Sequence, residues 1–275
     1  MNKIVLSVIV ALIIGIVIGY GVGAFIYQNQ INILKEKLNP KVLEKIKSRG
    51  KLIVGTSADW PPFEWIDNGQ VVGIDIEIAK RIADKIGVEL EIKDMKFSAL
   101  IEALKNDMVD MIIADISPTS KRELQVDFSI PYYFTKGNVI VILSDKNIMS
   151  VKDLYGKKIG VQLGTIQQDW AEANLKNYST IITYDKVYPD MIFVLKRGDI
   201  DAVVISEQVA NVILQKEPGL KIAFYVGGPS MSAIAVKNGA EDLKYVINQV
   251  IEELLESGEM QNIFNKEIDR WLKKT

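Results

Sequence analysis

The sequence predicts an α/β protein with two similar lobes, preceded by one N-terminal transmembrane helix. Strand-like and helix-like segments alternate from Lys51 onward, which is typical of a mainly parallel sheet covered by helices. Segments from the first half of this region recur in the second half, which indicates two related lobes. An uncharged apolar run long enough to cross a bilayer lies before this region.

The apolar run, Ile4 to Tyr27, contains no charged side chain over 24 residues. About 20 apolar residues cross a bilayer as a helix, whereas a signal peptide has a shorter apolar core and a small-residue cleavage site. The length favours a retained anchor, assigned to residues 1–28, over cleavage at "GVGA". More lysines follow the run than precede it, which by itself favours a cytoplasmic C-terminal part, but long domains cross membranes regardless of such charges.

The composition excludes several classes of chemistry. The chain has 275 residues, a formal net charge of -2 and 48% hydrophobic residues, which is enough for one large or two modest domains. It contains no Cys and no His, so a disulfide framework, a Cys or His metal site and a Ser/His or Cys/His nucleophile pair are excluded. The charge balance does not point to a nucleic-acid partner, and no cofactor is expected.

The elements before and within the first lobe follow from local patterns. Residues 29–50 are polar and charged, and they are expected to form a juxtamembrane spacer with a short helix between Pro40 and Gly50. The first lobe then reads as strand "KLIVGT", helix "IDIEIAKRIADKIG", strand "VELEIKDM", helix "SALIEALKND" and strand "VDMIIAD". Asp75 is expected to cap the first of these helices.

The second lobe repeats parts of the first. "KIGVQLGT" echoes "KLIVGT", and residues 195–206, "LKRGDIDAVVIS", align without gaps on residues 104–115, "LKNDMVDMIIAD". This alignment makes Asp115 and Ser206 equivalent positions at the carboxyl ends of two strands. Open α/β sheets bind ligands at the carboxyl ends of their strands, so both residues are candidates for a binding site.

A rigid aromatic turn follows the first strand, in the stretch "VGTSADWPPFEW". Downstream the sequence contains "GQVVGIDIEIAKRIADKIG", "FSALIEAL", "DMIIADISPTSKRELQVDFSIPYY", "DLYGKKIGVQLGT" and "GDIDAVV". In this order, from about Leu43 to the C-terminus, these segments resemble the family 3 extracellular solute-binding proteins, the polar amino-acid receptors of ABC importers.

The resemblance implies a two-lobe periplasmic-binding-protein-like fold (type II), whose lobes close over one amino acid by a hinge motion. The first lobe would comprise residues 51–136 and 231–275, and the second lobe residues 137–230, with crossings near residues 135–138 and 227–231. The folded part would be extracytoplasmic and anchored to the cell membrane by the N-terminal helix. Its partners would be an amino-acid ligand and the transmembrane permease subunits of an ABC transporter.

The resemblance also assigns roles to the pocket residues. Trp60, on a turn stiffened by two prolines, matches the family's ring-stacking position and Phe97 a second aromatic position; ordinary core packing is the alternative for both. Arg122 matches the arginine that binds the ligand carboxylate, and Ser117 in the same turn matches a hydroxyl contact. Thr165 precedes a helix whose free N–H groups would hold the same carboxylate, although Thr165 would serve equally well as an N-cap alone.

The amino end of the pocket departs from the family pattern. Ser206 replaces the acid that usually binds the ligand ammonium, and Ser57 replaces an acid often found after "GT"; both serines are candidate ligand contacts. An ammonium group in a closed cleft needs a counter-charge, which Asp115 or Glu207 would provide. Strand alternation favours Asp115, whose alternative role is to cap the "SPTSKRE" turn. Extra acid beside an aromatic wall suits a ligand with a cationic side chain, such as arginine or lysine. A ligand that lacks the α-amino group would also fit the missing acid.

The predicted function is therefore an extracytoplasmic substrate-binding protein that captures a polar or charged amino acid and delivers it to a permease. Two alternatives stay open. The same scaffold resembles the cyclohexadienyl dehydratases, and such a reaction would need Asp115 or Glu207 as a general acid. The third class is a sensory module that signals through the membrane helix to a partner protein.

Overall fold

The computed structural model describes Gly23 and residues 42–273. Apart from Gly23, the predicted membrane segment lies outside these residues, as does most of the spacer. Within the described residues no helix combines the length and the apolar character that crossing a membrane requires. The fold described below is that of the compact unit that begins at Ile46.

The regular elements alternate along the chain. The strands are β1 (Lys51–Thr56), β2 (Asp59–Trp60), β3 (Glu64–Asp67), β4 (Gln70–Val72), β5 (Glu89–Asp94), β6 (Met111–Ile112), β7 (Val126–Phe128), β8 (Tyr133–Thr135), β9 (Asn138–Leu143), β10 (Lys158–Gln162), β11 (Thr180–Tyr184), β12 (Ala202–Ser206), β13 (Leu220–Val226), β14 (Ser230–Ser232) and β15 (Ala235–Lys237). The helices are α1 (Val42–Arg49), α2 (Ile74–Ile86), α3 (Leu100–Lys105), α4 (Ser120–Glu123), α5 (Ile166–Leu175), α6 (Ile192–Arg197), α7 (Glu207–Lys216), α8 (Glu241–Glu256) and α9 (Glu259–Lys273). Short helical turns cover Phe97–Ala99, Val151–Leu154 and Val187–Met191.

The first lobe is built on a sheet with the strand order β5-β1-β6-β15-β7. Strand β1 lies parallel to β5 and β6, whereas β15 runs antiparallel to β6 and β7. The C-terminal helices α8 and α9 both pack on α2, and α9 also packs on α7 of the second lobe. A buried cluster that includes Leu100, Ile112 and Val126 forms part of its core. A small antiparallel sheet, β2-β3-β4, connects β1 to α2.

The second lobe has a sheet with the same arrangement, in the order β11-β10-β12-β9-β13. Strand β10 lies parallel to β11 and β12, and β9 runs antiparallel to β12 and β13. The register reproduces the internal repeat of the sequence. Val54 pairs with Met111 in the first lobe, and Ile159 pairs with Ala202 in the second, so the two residues that the gap-free alignment equates occupy equivalent sheet positions.

Two adjacent segments connect the lobes. The chain leaves the first lobe after β8 and enters the second at β9, then leaves the second after β13 and returns through β14. Strands β8 and β14 pair antiparallel, with Thr135 opposite Ser230 and Tyr133 opposite Ser232. A pair of short, hydrogen-bonded connections of this kind is a natural place for a hinge between two rigid bodies.

Helix α2 begins with a glycine rather than a side-chain cap. The expectation that Asp75 caps this helix is wrong, because the N-cap residue is Gly73 and no side-chain cap bond is present. The Asp75 N–H donates to the carbonyl oxygen of Phe63 (3.0 Å), which ties the aromatic turn to the helix. Gly73 has φ +132°, and a Cβ there would clash with that same carbonyl, so glycine alone fits. The Asp75 side chain points inward instead and accepts a hydrogen bond from the N–H of Asp115 (2.8 Å).

Candidate functional site

A cavity lies between the lobes, beside the paired connections. The structure brings all eight sequence-predicted site residues to its wall. They are Ser57, Trp60, Phe97, Asp115, Ser117, Arg122, Thr165 and Ser206. The wall also contains polar residues that the sequence analysis did not single out, among them Asp59, Glu64, Gln162, Gln167, Ser230 and Ser232.

The aromatic wall is held by the first lobe. Trp60 lies in β2, is 6% exposed, and donates a hydrogen bond from Nε1 to Oδ2 of Asp115 (2.8 Å). This bond fixes the plane of the indole ring. Phe97 begins the helical turn before α3, and its ring centroid lies 5.3 Å from the guanidinium carbon of Arg122. The contact is a cation–π interaction, so Phe97 and Arg122 position each other.

Arg122 is buried at the start of the α4 turn. Thr119 caps this turn by accepting a hydrogen bond from the Arg122 N–H (3.3 Å). The guanidinium donates from Nη1 to the Ser117 carbonyl oxygen (2.7 Å) and from Nη2 to the carbonyl oxygen of Gly164 in the second lobe (3.0 Å). Burial lowers the pKa of Arg122 to about 10, so the side chain remains a cation at neutral pH.

Thr165 is both an N-cap and a cavity residue. Its Oγ1 accepts a hydrogen bond from the N–H of Gln168 (3.2 Å) and donates one to the Gln162 carbonyl oxygen (2.7 Å). Thr165 is therefore the N-cap of α5. Because the residue also borders the cavity, the start of α5 faces the same space as Arg122.

Asp115 lies at the floor of the cavity and does not cap the turn that follows it. Its backbone has a positive φ of 43°, a conformation that costs energy for a residue with a Cβ. Its side chain accepts hydrogen bonds from the Trp60 indole and from the Ser232 hydroxyl in the β14 connection. Burial raises the pKa of Asp115 to about 7, against the hydrogen bond from Ser232 and with the help of the neighbouring charge of Asp75.

Glu207, the other candidate for the counter-charge, is placed differently. It is the first residue of α7, and its carboxylate accepts a hydrogen bond from the Tyr225 hydroxyl (2.6 Å). Lys136 Nζ lies 4.0 Å from the same carboxylate. The Glu207 side chain is therefore engaged outside the cavity wall, and Asp115 is the one of the two candidates that borders the cavity.

An unusual concentration of acid lies behind the aromatic turn. Glu64 is fully buried, and neither of its carboxylate oxygens accepts a hydrogen bond from another described residue. Burial raises its pKa well above the ordinary range, and the charges of Asp75, Asp115 and Asp59 raise it further. Burial also raises the pKa of Asp75 to about 6. A cation entering the cavity would stabilise the ionised forms of these groups.

Asp59 connects the two lobes. It is 2% exposed, and its Oδ2 accepts hydrogen bonds from Gln162 Nε2 (2.9 Å) and from the Val187 N–H (2.6 Å), both in the second lobe. Its Oδ1 accepts a hydrogen bond from the Ser57 hydroxyl (2.7 Å). Burial raises the pKa of Asp59 to about 6, although these hydrogen bonds act to lower it.

Ser57 and Ser206 stand at positions where the sequence resemblance would place acids, and the contacts of these two serines differ. Ser57 is engaged with Asp59, as described above. Ser206 ends β12, and its buried hydroxyl makes no hydrogen bond to another described residue. Its Oγ is therefore available to a ligand group on the second-lobe side of the cavity.

Two acids of the aromatic turn, Asp59 and Glu64, border the cavity but were not predicted as site residues. Trp60 pairs with Glu64 across the β2–β3 hairpin, and paired residues share a face, so a hairpin assignment would have placed Glu64 beside Trp60. For the interlobe contacts of Asp59 no local signal exists, because Gln162 and Val187 are 103 and 128 residues away in the chain.

Comparison with known proteins finds relatives that are named as amino-acid-binding proteins. The chain is 37% identical over 219 residues to the arginine-binding extracellular protein ArtP of Bacillus subtilis (strain 168), covering 78% of this chain and 85% of that protein. It is 30% identical over 228 residues to the L-cystine-binding protein TcyJ of Escherichia coli (strain K12), covering 82% of this chain and 85% of the relative.

Solved structures agree with these relatives. The amino acid ABC transporter substrate-binding protein AbpA from Streptococcus pneumoniae, bound to L-arginine, superposes with a TM-score of 0.80 at 36% identity, over 84% of this chain and 100% of that one. A mutant of ArgBP from T. maritima gives a TM-score of 0.79 at 39% identity, over 83% and 99%. Residues 52–270 match the family model of the bacterial extracellular solute-binding proteins, family 3, and the chain belongs to that family.

Proposed function

We propose that this extracytoplasmic substrate-binding protein of an amino-acid ABC transporter captures a cationic amino acid, with L-arginine as the first candidate. The observation that carries the proposal is the charge of the cavity wall. Glu64, Asp115 and Arg122 all border the cavity, which therefore presents two acidic side chains and one cationic side chain to a ligand. A ligand with one carboxylate and two cationic groups matches this distribution, because each charge finds an opposite partner.

Arg122 and Thr165 would hold the ligand carboxylate. The guanidinium is buried and its orientation is set by two carbonyl oxygens, so it is preorganised for an anion. Ser117 lies in the same turn and borders the cavity, as a hydroxyl contact would require. The start of α5 adds the favourable end of a helix dipole.

The acidic side would hold the cationic groups. We assign the ligand ammonium to Asp115, since it borders the cavity and Glu207 is engaged elsewhere. Ser57 and Ser206 would be polar contacts in the positions where the family usually has acids. Glu64 lies beneath the aromatic wall, where a cationic side chain stacked on Trp60 would be drawn.

Names of relatives point in the same direction. ArtP is an arginine-binding protein, and the AbpA structure contains L-arginine. TcyJ, named for L-cystine, shows that the same fold accepts another amino acid. The ligand must therefore be assigned by pocket chemistry, and the buried carboxylates favour a cation.

The chain is a binding protein rather than an enzyme, in keeping with relatives named as binding proteins of ABC transporters. These relatives favour the transport function over the dehydratase and sensory alternatives. We further propose that residues 4–27 anchor the protein to the cell membrane by a single pass, with the two lobes on the extracytoplasmic side and the permease subunits as partners. The support for this anchor is the uncharged apolar run of the sequence.

Direct binding measurements on the full chain in mild detergent test the proposal. Calorimetry with L-arginine, L-lysine and L-citrulline compares ligands of similar size that differ in side-chain charge. We expect the two cations to bind and the neutral isostere citrulline to bind at least about a hundredfold more weakly, since it leaves a buried carboxylate unpaired. Equal binding of citrulline, or no binding of any amino acid, would contradict the proposal. Agmatine, which lacks the carboxylate, should also bind poorly.

A further inference from the structure

Asp59 forms a contact between the lobes that does not involve a ligand. Its carboxylate belongs to the first lobe, and both hydrogen bonds to Oδ2 come from the second lobe. The two donors lie on different elements, since Gln162 ends β10 and Val187 begins the turn before α6. One oxygen therefore holds two separate parts of the second lobe against β2.

We propose that Asp59 is a latch that holds the closed form of the protein together and thereby sets how long a ligand stays bound. It acts as a positioning residue rather than as a ligand contact. The inference rests on the closure of two lobes contained in the proposed function, although the latch itself needs no particular ligand. When the lobes separate, the Val187 N–H, the Gln162 amide and the Asp59 carboxylate would be hydrated, so these bonds act on the closed state alone.

The geometry explains why an acceptor, rather than a charge, is what the latch requires. Both interlobe bonds end on Oδ2, and Oδ1 is held by the Ser57 hydroxyl of the same lobe. An asparagine whose oxygen takes the place of Oδ2 would keep both interlobe bonds, and its NH₂ group would donate to Ser57, because a hydroxyl also accepts. Alanine would leave the Val187 N–H without a partner in the closed form.

Other interlobe contacts lie elsewhere: away from the cavity wall, the buried Trp271 indole of α9 donates a hydrogen bond to the Val212 carbonyl oxygen of α7 (3.2 Å). Arg122 reaches the Gly164 carbonyl oxygen at the ligand end of the cavity. Lys96 and Asp185 form an ion pair at 2.6 Å, but both side chains are largely exposed, and exposed ion pairs contribute little. The Asp59 contact is buried, so its loss should be visible in the balance between open and closed forms.

Fluorescence energy transfer on the full chain tests the latch. The chain has no Cys, so Asp84→Cys on α2 and Ala173→Cys on α5 give one label site on each lobe. The variants are Asp59→Ala, Asp59→Asn, Gln162→Ala and the double variant Asp59→Ala with Gln162→Ala. Asp94→Ala is the matched control, because Asp94 accepts a hydrogen bond from the neighbouring Ala58 N–H (2.8 Å) within the first lobe.

Without ligand, the unmodified chain should show a closed population, which Asp59→Ala should reduce and Asp59→Asn should largely preserve. With L-arginine as probe, Asp59→Ala should raise the dissociation rate about tenfold to a hundredfold, with less effect on association. Gln162→Ala should act in the same direction, and the double variant should fall short of the summed effects because the two residues share one bond. The Asp94→Ala control should match the unmodified chain.

Several results would overturn the latch. One is a ligand-free unmodified chain that is entirely open, and another is an Asp59→Ala variant with unchanged populations. If Asp59→Asn loses L-arginine affinity as strongly as Asp59→Ala while the ligand-free populations stay constant, Asp59 is a charge partner of the ligand instead. If no variant binds L-arginine, the proposed function fails, yet the ligand-free populations still decide on the latch. Should Asp59→Ala not fold, Gln162→Ala and Asp59→Asn provide the same comparison.

Discussion

The indole N–H of Trp60 donates a 2.8 Å hydrogen bond to the carboxylate of Asp115. Through this bond the aromatic wall and the acidic floor of the cavity form a single unit. Asp115 also accepts from Ser232 in one of the two connections between lobes, so the same carboxylate touches the hinge region. A ligand cation near Asp115 would therefore act on the wall, the floor and the hinge together.

Replacing Trp60 with Phe should separate ring stacking from hydrogen bonding. The variant Trp60→Phe keeps an aromatic face but removes the donor to Asp115. We expect affinity for L-arginine to fall about tenfold, because a buried carboxylate loses one hydrogen bond, whereas Trp60→Ala should lose considerably more. Calorimetry measures both, and Trp170→Phe, on α5 against the core of the second lobe, is the control. Equal affinities of Trp60→Phe and the unmodified protein would show that the bond is dispensable for binding.

The Arg122 prediction rests on geometry as well as charge. Arg122→Lys keeps the cation but has one nitrogen in place of the fork that reaches both Ser117 and Gly164. We expect L-arginine affinity to fall about tenfold to a hundredfold in Arg122→Lys and further in Arg122→Ala. The exposed neighbour Lys121 provides the control variant Lys121→Ala, which should bind normally. Normal binding by Arg122→Lys would show that a single positive charge at this position is enough to bind the ligand carboxylate.

Much of the fold could be predicted from local patterns, and part of the cavity wall could be predicted from the resemblance to a known family. The alternation of strands and helices and the internal repeat appear in the sheets, where equated residues such as Met111 and Ala202 take equivalent places. Some bounds were too generous: the strand expected over "VDMIIAD" is limited to Met111–Ile112. Family membership was also predicted, and it is confirmed by the match over residues 52–270.

The parts that could not be predicted depend on contacts distant in sequence. Asp is a residue type that often caps helices, but at the start of α2 the Phe63 carbonyl oxygen already accepts the Asp75 N–H. The Asp75 side chain instead accepts a hydrogen bond from the Asp115 N–H. Asp59 meets partners more than a hundred residues away. The roles of the eight wall residues in binding stay predictions, and the variants of Trp60 and Arg122 test two of them.

The buried acids predict an unusual dependence of stability on pH. Burial raises the pKa values of Asp59 and Asp75 to about 6 and that of Asp115 to about 7. Burial also raises the pKa of Glu64 well above its ordinary range. A carboxyl whose folded pKa lies above its unfolded value stabilises the fold at low pH, and this stability is lost as the pH rises through the folded pKa. The ligand-free protein should therefore unfold about 5 °C lower at about pH 8 than at about pH 5.

Thermal unfolding across this pH range measures the effect with and without L-arginine. A bound cation lowers these pKa values, so the stabilisation by ligand should increase between about pH 5 and pH 8. Asp115→Asn removes the carboxyl whose pKa is about 7 and should flatten the upper part of the ligand-free curve. A ligand-free midpoint that rises steadily toward pH 8 would contradict the prediction.

Gly73 should be among the positions where a methyl group is least tolerated. Its φ of +132° is unfavourable for any residue with a Cβ, and the added atom would clash with the Phe63 backbone carbonyl and crowd the Cα of Glu64 at 3.0 Å. Because backbone cannot move aside as a flexible side chain would, we expect Gly73→Ala to destabilise the protein by about 3 kcal/mol or more.

Gly69→Ala is the matched comparison for Gly73→Ala. Gly69 also has a positive φ, +79°, but a Cβ there would meet no atom within 4 Å. Gly69→Ala should lower the free energy of unfolding by only about 1 kcal/mol, the ordinary penalty of the left-handed conformation. Denaturant unfolding of both variants separates the cost of a positive φ from the cost of the steric clash. Since the clash in Gly73→Ala pushes on the hairpin that carries Trp60 and Glu64, this variant should also weaken L-arginine binding, whereas Gly69→Ala should not. Equal destabilisation by the two substitutions would show that the contact between residue 73 and the aromatic turn is looser than the structure indicates.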